Sequence, residues 1–401
     1  MLKNRILIVT ECFYPEEFKI NDIAIRWKKK GYEVDILTLV PTYPFGKVFD
    51  GYKNKFLAID YYEGLKIYRF RAVTGYKNSI FKKIIKYINF MFLASLFAIF
   101  YGRKYDYVFG FNMSSLTNMF PAVLIRKLYS KPLTLWVQDL WPDSVYAYGF
   151  KKTKFLSIIL DTFVRFIYSN VSSVAISGKG FEQKLKQYFD YSIKFNYLPN
   201  WADDLSKNSK KIKLSSKELI QFTFAGNIGK VQNLENVINA FLLIPSKFRA
   251  KAQLNIIGDG SHLENLKSVA RGNPEVVFHG KKKREDIYSY FDASDFLIIS
   301  LIDKPIFSVL VPAKTQTYIA AKKPILAFIN GDTADIVKSN NLGQYANPSN
   351  LVDMTNVFVM FIQMSHEKRK EFTINNDYLL DTIFNKNKTI DKLLEIVIEK
   401  V

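Results

Sequence analysis

A chain of 401 residues is too long for one ordinary core, so two domains are expected. Its 48% apolar and 23% charged residues exclude a disordered chain, and a single cysteine, Cys12, excludes an intramolecular disulfide or a cysteine-rich metal site. The net charge of +20 is uneven: residues 1–200 hold 30 basic against 15 acidic side chains, and the remainder 27 against 22. The first half therefore calls for an anionic partner. There is no recognisable nucleic-acid module, and long aliphatic stretches separate the basic residues, so an anionic membrane surface is expected and nucleic acid is not.

The opening "MLKNRILIVTECFYPEE" has an apolar run too soon broken by Glu11 for a signal peptide. With the lone cysteine this gives a cytoplasmic expectation. "RILIVT" and "VDILTL" predict strands on either side of an amphipathic helix, "NDIAIRWKKKGYE", ended at Gly31. Strand–helix–strand order implies a parallel α/β sheet. "KIYRFRAV", "YDYVFGF", "LTLWVQD" and "SSVAIS" continue it.

Between them, "SIFKKIIKYINFMFLASLFAIFYGRK" puts Phe81, Ile84, Ile85, Ile88, Phe92 and Ser95 on one helical face, with Lys82, Lys83 and Lys86 elsewhere. Its uninterrupted apolar core, Phe90 to Tyr101, is shorter than the ~20 residues that span a bilayer. Two readings stand: a buried helix of the first domain, or a helix lying in the membrane interface over 80–101. Residues 151–168, "KKTKFLSIILDTFVRFIY", follow the same recipe.

"ADDLSKNSKKIKLSSKE", 202–218, is polar and aperiodic and reads as a linker. The α/β pattern then restarts: "QFTFAG", "AQLNIIGDG", "VVFHG" and "FLIIS" as strands, with "NLENVINAFLLI", "HLENLKSVA" and "REDIYSYFDA" as helices. The expected organisation is a Rossmann-like domain over 1–201, the linker, a second Rossmann-like domain over 219–375, and a C-terminal helical segment, 376–401, returning to the first.

Histidine occurs only at 262, 279 and 366, which leaves no base for a Ser-His or Cys-His nucleophile in the first domain. No metal-ligand spacing, Walker loop or strand-to-helix G-x-G-x-x-G is present. Chemistry is then expected in loops at strand ends. "TECFYPEEFKIND" looks like a shaped wall. "WVQDLWPDS" sets Gln138 and Asp139 between Trp136 and Trp141, where a carboxylate is either functional or a helix cap, a role Asp143 fits better. "FAGNIGKVQNL" offers Gly226, Asn227 and Lys230 before a helix, as a phosphate loop requires. "LVPAKTQTYIAAKKPIL" opens a helix with Lys314, Thr315, Gln316 and Thr317, either an ordinary capped start or an anion site.

Together these pieces resemble family 4 glycosyltransferases of the two-Rossmann GT-B architecture. The nearest branch is the bacterial O-antigen and capsule one that includes N-acetyl-L-fucosaminyltransferases. "LIVTECFYPE", "GYEVDILTLVPTYPFGKVFDGY", "WVQDLWPDS", "LPNWAD", "FAGNIGKVQNLENVINAF", "IIGDG", "VVFHG", "ASDFLIIS" and "VPAKTQTYIAAKKPIL" run in family order from residue 6 to about 330. The resemblance implies a UDP-sugar substrate, with no cofactor and no metal, held by Gly226, Asn227, Lys230, Gly258, His279, Lys314, Thr315 and Thr317. It implies a polyprenyl-diphosphate-linked saccharide as acceptor, with Asp139 and Gln138 beside the reacting hydroxyl. The chain departs from the family pattern at four places. Two usual glutamates fall at Val309 and Thr317, the usual Gly-Gly at Phe18-Lys19, and a phosphate-loop arginine at Asn227. Two alternatives stay open: a UDP-sugar 2-epimerase, which shares the fold, and an inactive nucleotide-sugar-binding scaffold of a capsule complex, which the missing glutamates keep open. Against the epimerase stands the missing histidine-rich acid/base set.

Overall fold

The computed structural model describes residues 4–399 apart from 77, 78, 148, 149, 190, 192, 203–211, 216 and 217. Most of the 202–218 linker thus lies outside the described residues. The chain forms two compact units, Met1–Leu198 with Asn387–Val401, and Pro199–Lys386.

The first unit is built on β1 (Arg5–Val9), β2 (Glu33–Leu39), β3 (Leu57–Tyr62), β4 (Leu65–Phe70), β5 (Tyr107–Asn112), β6 (Leu133–Val137), β7 (Ser173–Ile176) and β8 (Phe195–Tyr197). They form one sheet in the order β3-β4-β2-β1-β5-β6-β7-β8, all parallel except the β3–β4 hairpin. Strands covered on both faces must be apolar nearly throughout, and "ILIV" and "LTLWV" are fully buried. The order reverses at β1. Right-handed crossovers then put the helix Lys19–Lys29 on one face of the sheet, and the helices Ile80–Tyr101, Phe120–Tyr129 and Lys154–Tyr168 on the other.

The C-terminal helix Lys386–Ile398 packs on Lys19–Lys29. Arg26 clamps Asp391 through Nε (2.6 Å) and a terminal nitrogen (2.7 Å), and the Trp27 indole donates to the Ile390 carbonyl (3.2 Å). The rest of the 376–401 segment behaves differently. The helix Asn376–Asp381 stays in the second unit, where Leu379 and Phe384 are buried beside Tyr318 and Ile319.

The Ile80–Tyr101 helix corrects the sequence reading in two ways. At 22 residues, within an apolar window of mean hydropathy 1.8, it is long and apolar enough to cross a membrane. Its inner flank nevertheless packs in the unit: Phe90, Ala94, Phe97 and Ala98 are buried, and Phe97 meets Tyr68 of β4 at 4.6 Å between ring centroids. A helix that carries a sheet on one side cannot be surrounded by lipid. The second correction concerns Lys86, which was grouped with the surface lysines. It is buried and ion-paired with Glu11, whereas Lys82 and Lys83 are exposed. The apolar stripe is what faces outward: Phe81 (71% exposed), Ile84, Ile85, Ile88 and Phe92 (62%). Helix Lys154–Tyr168 does the same with Phe155, Ile158 and Ile159.

The second unit holds β9 (Ile220–Ala225), β10 (Ala252–Ile257), β11 (Val276–Gly280), β12 (Phe296–Ser300), β13 (Ile325–Phe328) and β14 (Gly343–Tyr345). Its sheet is wholly parallel, in the order β11-β10-β9-β12-β13-β14. The order reverses between β9 and β12, so the crevice beyond their carboxyl ends is where such a sheet takes a ligand.

Candidate functional site

In the second unit the loop after β9 runs beside the loop after β10. Gly226 N donates to the Ile257 carbonyl (2.9 Å), and Ile228 N to the Asp259 carbonyl (2.9 Å). The approach is too close for side chains: a Cβ on Gly258 would lie 1.8 Å from the Gly226 carbonyl oxygen, and both glycines have φ near +142°. Across the switch point, Ile302 N after β12 donates to the Val231 carbonyl (2.9 Å).

Helix Lys314–Ala320 docks on the end of β9 through two side chains. The buried Tyr318 hydroxyl accepts from Ala225 N (3.2 Å). The Lys314 ammonium lies 3.4 Å from the centroid of the Phe224 ring and against Gly226, where any Cβ would come within 2.8 Å of it. Burial pushes the Lys314 pKa down to about 7, and among the described residues no carboxylate offsets that. A buried cation costs free energy unless paired, so this position favours an anion from outside the chain.

The other predicted donor residues divide. Asn227 and Lys230 are exposed on the same loop as Gly226. Thr315 is fully buried; its amide donates to the Pro312 carbonyl (2.9 Å), while its hydroxyl finds no partner among the described residues. The Thr317 hydroxyl donates back to the Ala313 carbonyl (3.0 Å). The helix start thus uses the Thr315 and Thr317 amides and the Thr317 hydroxyl internally, and leaves the Thr315 hydroxyl and the Lys314 ammonium without a hydrogen-bond partner among the described residues. His279 is taken up by the sheet: its Nε2 is 2.8 Å from Asn255 Oδ1, and Asn255 Nδ2 donates to Gln221 Oε1 (2.8 Å). Among the described residues no three His, Cys, Asp or Glu side chains converge as metal ligands.

In the first unit the ends of β1, β5 and β6 make a second polar group. Asp139 is half-buried, and desolvation raises its pKa to about 6 although Leu140 N donates to it (3.0 Å). Asn112, buried at the end of β5, donates from its side chain to the Asp139 carbonyl (3.4 Å) and accepts Gln138 N on its own carbonyl (2.8 Å). Trp136 does not flank the carboxylate as its place in sequence suggested. It is core, its indole donating to the Leu198 carbonyl (3.1 Å).

Sequence reasoning missed the neighbouring cluster. Glu11, directly after β1, takes Lys86, the Ser114 hydroxyl and Asn118 Nδ2 (2.8 Å). Burial by itself would raise the Glu11 pKa, but Lys86 and the two donors bring it below the ordinary value. Glu16, also buried, accepts the amides of Thr42 (2.9 Å) and Tyr43 (2.7 Å) and so holds the loop after β2. The available signal was a carboxylate ending a wholly apolar strand.

Residues 206–376 match the family model of glycosyl transferases group 1. The second unit matches group 1 glycosyltransferases. "Probable glycosyltransferase WbjE" of Pseudomonas aeruginosa is 25% identical over 296 residues, which are 71% of this chain and 72% of that protein. Two solved structures share the whole fold. One is the E. coli trehalose-6-phosphate protein bound with UDP-2-fluoro glucose (TM-score 0.74, 11% identity, 99% of this chain and 100% of that one). The other is WaaG, a glycosyltransferase involved in lipopolysaccharide biosynthesis (TM-score 0.66, 14% identity, 99% and 100%). The fold is therefore GT-B, two α/β units, and the likeness to glycosyl transferases group 1 lies in residues 206–376.

Proposed function

We propose that this GT-B glycosyltransferase moves a sugar, an N-acetylated deoxyhexose such as N-acetyl-L-fucosamine, from a UDP-sugar to a polyprenyl-diphosphate-linked saccharide. The setting is surface-polysaccharide biosynthesis at the cytoplasmic face of the cell membrane. The observation that carries the donor half is Lys314, a half-buried lysine with no acid partner among the described residues, beside two glycine-bared loops. A diphosphate there supplies the missing negative charge, and Lys314 with Lys230 stabilises the UDP leaving group. Solved relatives in fold that hold UDP-sugars support the choice of donor.

Asp139 accepts the proton of the acceptor hydroxyl as that oxygen bonds to the sugar carbon and UDP departs. Its elevated pKa sets it near the range where a general base is most effective. The outward apolar stripes of helices Ile80–Tyr101 and Lys154–Tyr168, bordered by exposed Lys82, Lys83, Lys151, Lys152 and Lys154, support membrane attachment and hence a lipid-linked acceptor. The lipopolysaccharide role in the name of WaaG supports the same setting.

Calorimetry with UDP and uridine tests the reading. A charge-assisted contact to phosphate is worth roughly 1.5–3 kcal/mol, so Lys314→Ala is expected to weaken UDP ten- to a hundred-fold and uridine hardly at all. Equal losses for both ligands, or none, would remove Lys314 from the donor site.

A further inference from the structure

We propose that the chain pairs with a second copy of itself along the free edge of β3, joining two eight-stranded sheets into one. β3 is an outermost strand and pairs only with β4. Arg71 N donates to the Phe56 carbonyl (3.3 Å), so alternate residues from Phe56 turn their backbone groups toward β4. Leu57, Ile59 and Tyr61 therefore turn theirs to the open edge. One of those amides, Tyr61 N, is met by the Asp60 carboxylate of its own strand (2.9 Å). Edge strands of monomers are usually blunted by proline, inward charge or a bulge. Here the edge-turned residues are three large apolar ones, 37%, 54% and 68% exposed.

The sequence of the edge is complementary to itself. Antiparallel pairing centred on Ile59 sets Ile59 opposite Ile59 and Leu57 opposite Tyr61, so the edge-turned residues meet as hydrogen-bonded pairs. The same register brings exposed Lys55 of each copy opposite exposed Glu63 of the other. Sliding by one pair in either direction sets Lys55 against Tyr61 or Leu65 instead. The contact is isologous, as a two-fold dimer requires.

The two-fold axis of an antiparallel pair stands perpendicular to the sheet, so each face of the joined sheet is the same face in both copies. Ile59 lies opposite Tyr68, whose ring packs on Phe97, so the paired stripe shares a face with helix Ile80–Tyr101. Both copies therefore present that helix to the same side, and one flat lipid surface can meet both. Only this last consequence rests on the membrane reading; the pairing does not.

Sedimentation velocity of the full chain over roughly 1–100 µM tests the proposal, a range suited to an interface smaller than the standard size. A reversible dimer is expected for the natural sequence. Lys55→Glu alone and Glu63→Lys alone each place two like-charge pairs in the interface, and each is expected to weaken pairing by about tenfold or more. An equimolar mixture of these two variants restores an opposite-charge pair at both ends and is expected to dimerise as the natural chain does. Ile59→Lys is expected to be monomeric, and unchanged UDP affinity serves as the check on folding. A natural chain monomeric throughout, or single variants that dimerise as well as it does, overturns the proposal. So does a monomeric natural chain that loses vesicle binding on Ile59→Lys, which assigns the stripe to lipid. Failure of UDP binding in the natural chain leaves the pairing result standing and counts against the donor reading alone.

Discussion

Each unit sets a lysine near the ends of its strands, Lys86 buried and Lys314 half-buried, and the two are opposites. In the first unit Lys86 meets Glu11 and the Tyr76 ring (4.2 Å), and although burial pulls its pKa down, Glu11 together with Cys12 and Tyr76 more than offsets that and leaves it raised. In the second, Lys314 meets an aromatic ring and glycine backbone and, among the described residues, no carboxylate, and burial lowers its pKa. A buried cation with its own carboxylate is complete and holds structure together. One without it costs folding free energy and leaves its charge open to a ligand. Burial by itself therefore does not mark a site; the missing counter-charge does.

The largest effect is expected where the pair is complete. Lys86→Met leaves Glu11 buried and uncompensated, a loss of about 3–5 kcal/mol that denaturant unfolding should resolve. The double variant Lys86→Met/Glu11→Gln is expected to recover much of it. If the single variant unfolds like the natural chain, the contrast between the two lysines fails.

Next in size is Asp139. Asp139→Asn is expected to lower turnover by ~10²-fold or more while UDP affinity holds. Because the native state raises this pKa from 3.8 to about 6, it binds the proton more tightly than the unfolded chain does. Its ionisation therefore lowers stability as pH rises through that window, and at neutral pH the asparagine variant should be more stable by about 1–3 kcal/mol. Normal turnover together with raised stability would return Asp139 to a structural role.

The pH dependence of donor binding sharpens the comparison from the other side. Lys314, about half charged near pH 7 when no ligand is bound, becomes fully protonated beside a diphosphate. UDP binding at about pH 8 should then take up close to one proton, read as a dependence of binding heat on the buffer's ionisation enthalpy. Lys314→Met should abolish the uptake. The smallest effect concerns the lysines outside the pair. Lys82→Gln with Lys83→Gln should weaken binding to anionic vesicles by about 1 kcal/mol per lysine removed, with unfolding and UDP affinity unchanged.

Most strands were legible because strands inside a parallel sheet must be apolar nearly throughout, and "RILIV", "LTLWV" and "FLIIS" can do little else. β3 was not picked out: one of its faces is open, so "LAIDYY" mixes exposed apolar residues with half-buried ones, and the turn that follows uses Glu63-Gly64 rather than a strong hairpin signal. In the site, Lys314 and Asp139 could be named because a charge at the end of an apolar strand or the start of a helix is conspicuous. The hydroxyls of Thr315 and Thr317 could not be judged, since their orientation depends on how the first helical turn folds back on Pro312 and Ala313.

The sequence by itself determined two α/β units, their strands, and the loops in which charge could meet a ligand, because these follow from local hydrophobic period and from residue types at strand ends. Only the tertiary structure decided which lysine is spent and which is open. In "IFKKIIKYINFMF" apolar residues ring the helix, so periodicity cannot say which flank turns inward. That choice was made by Glu11, 75 positions away in the chain, whose buried carboxylate draws Lys86 inward and thereby turns Phe81, Ile84, Ile88 and Phe92 to the outside. Counter-charges, unlike hydrophobic periods, are supplied by residues distant in sequence, and so they become visible only when the chain is folded.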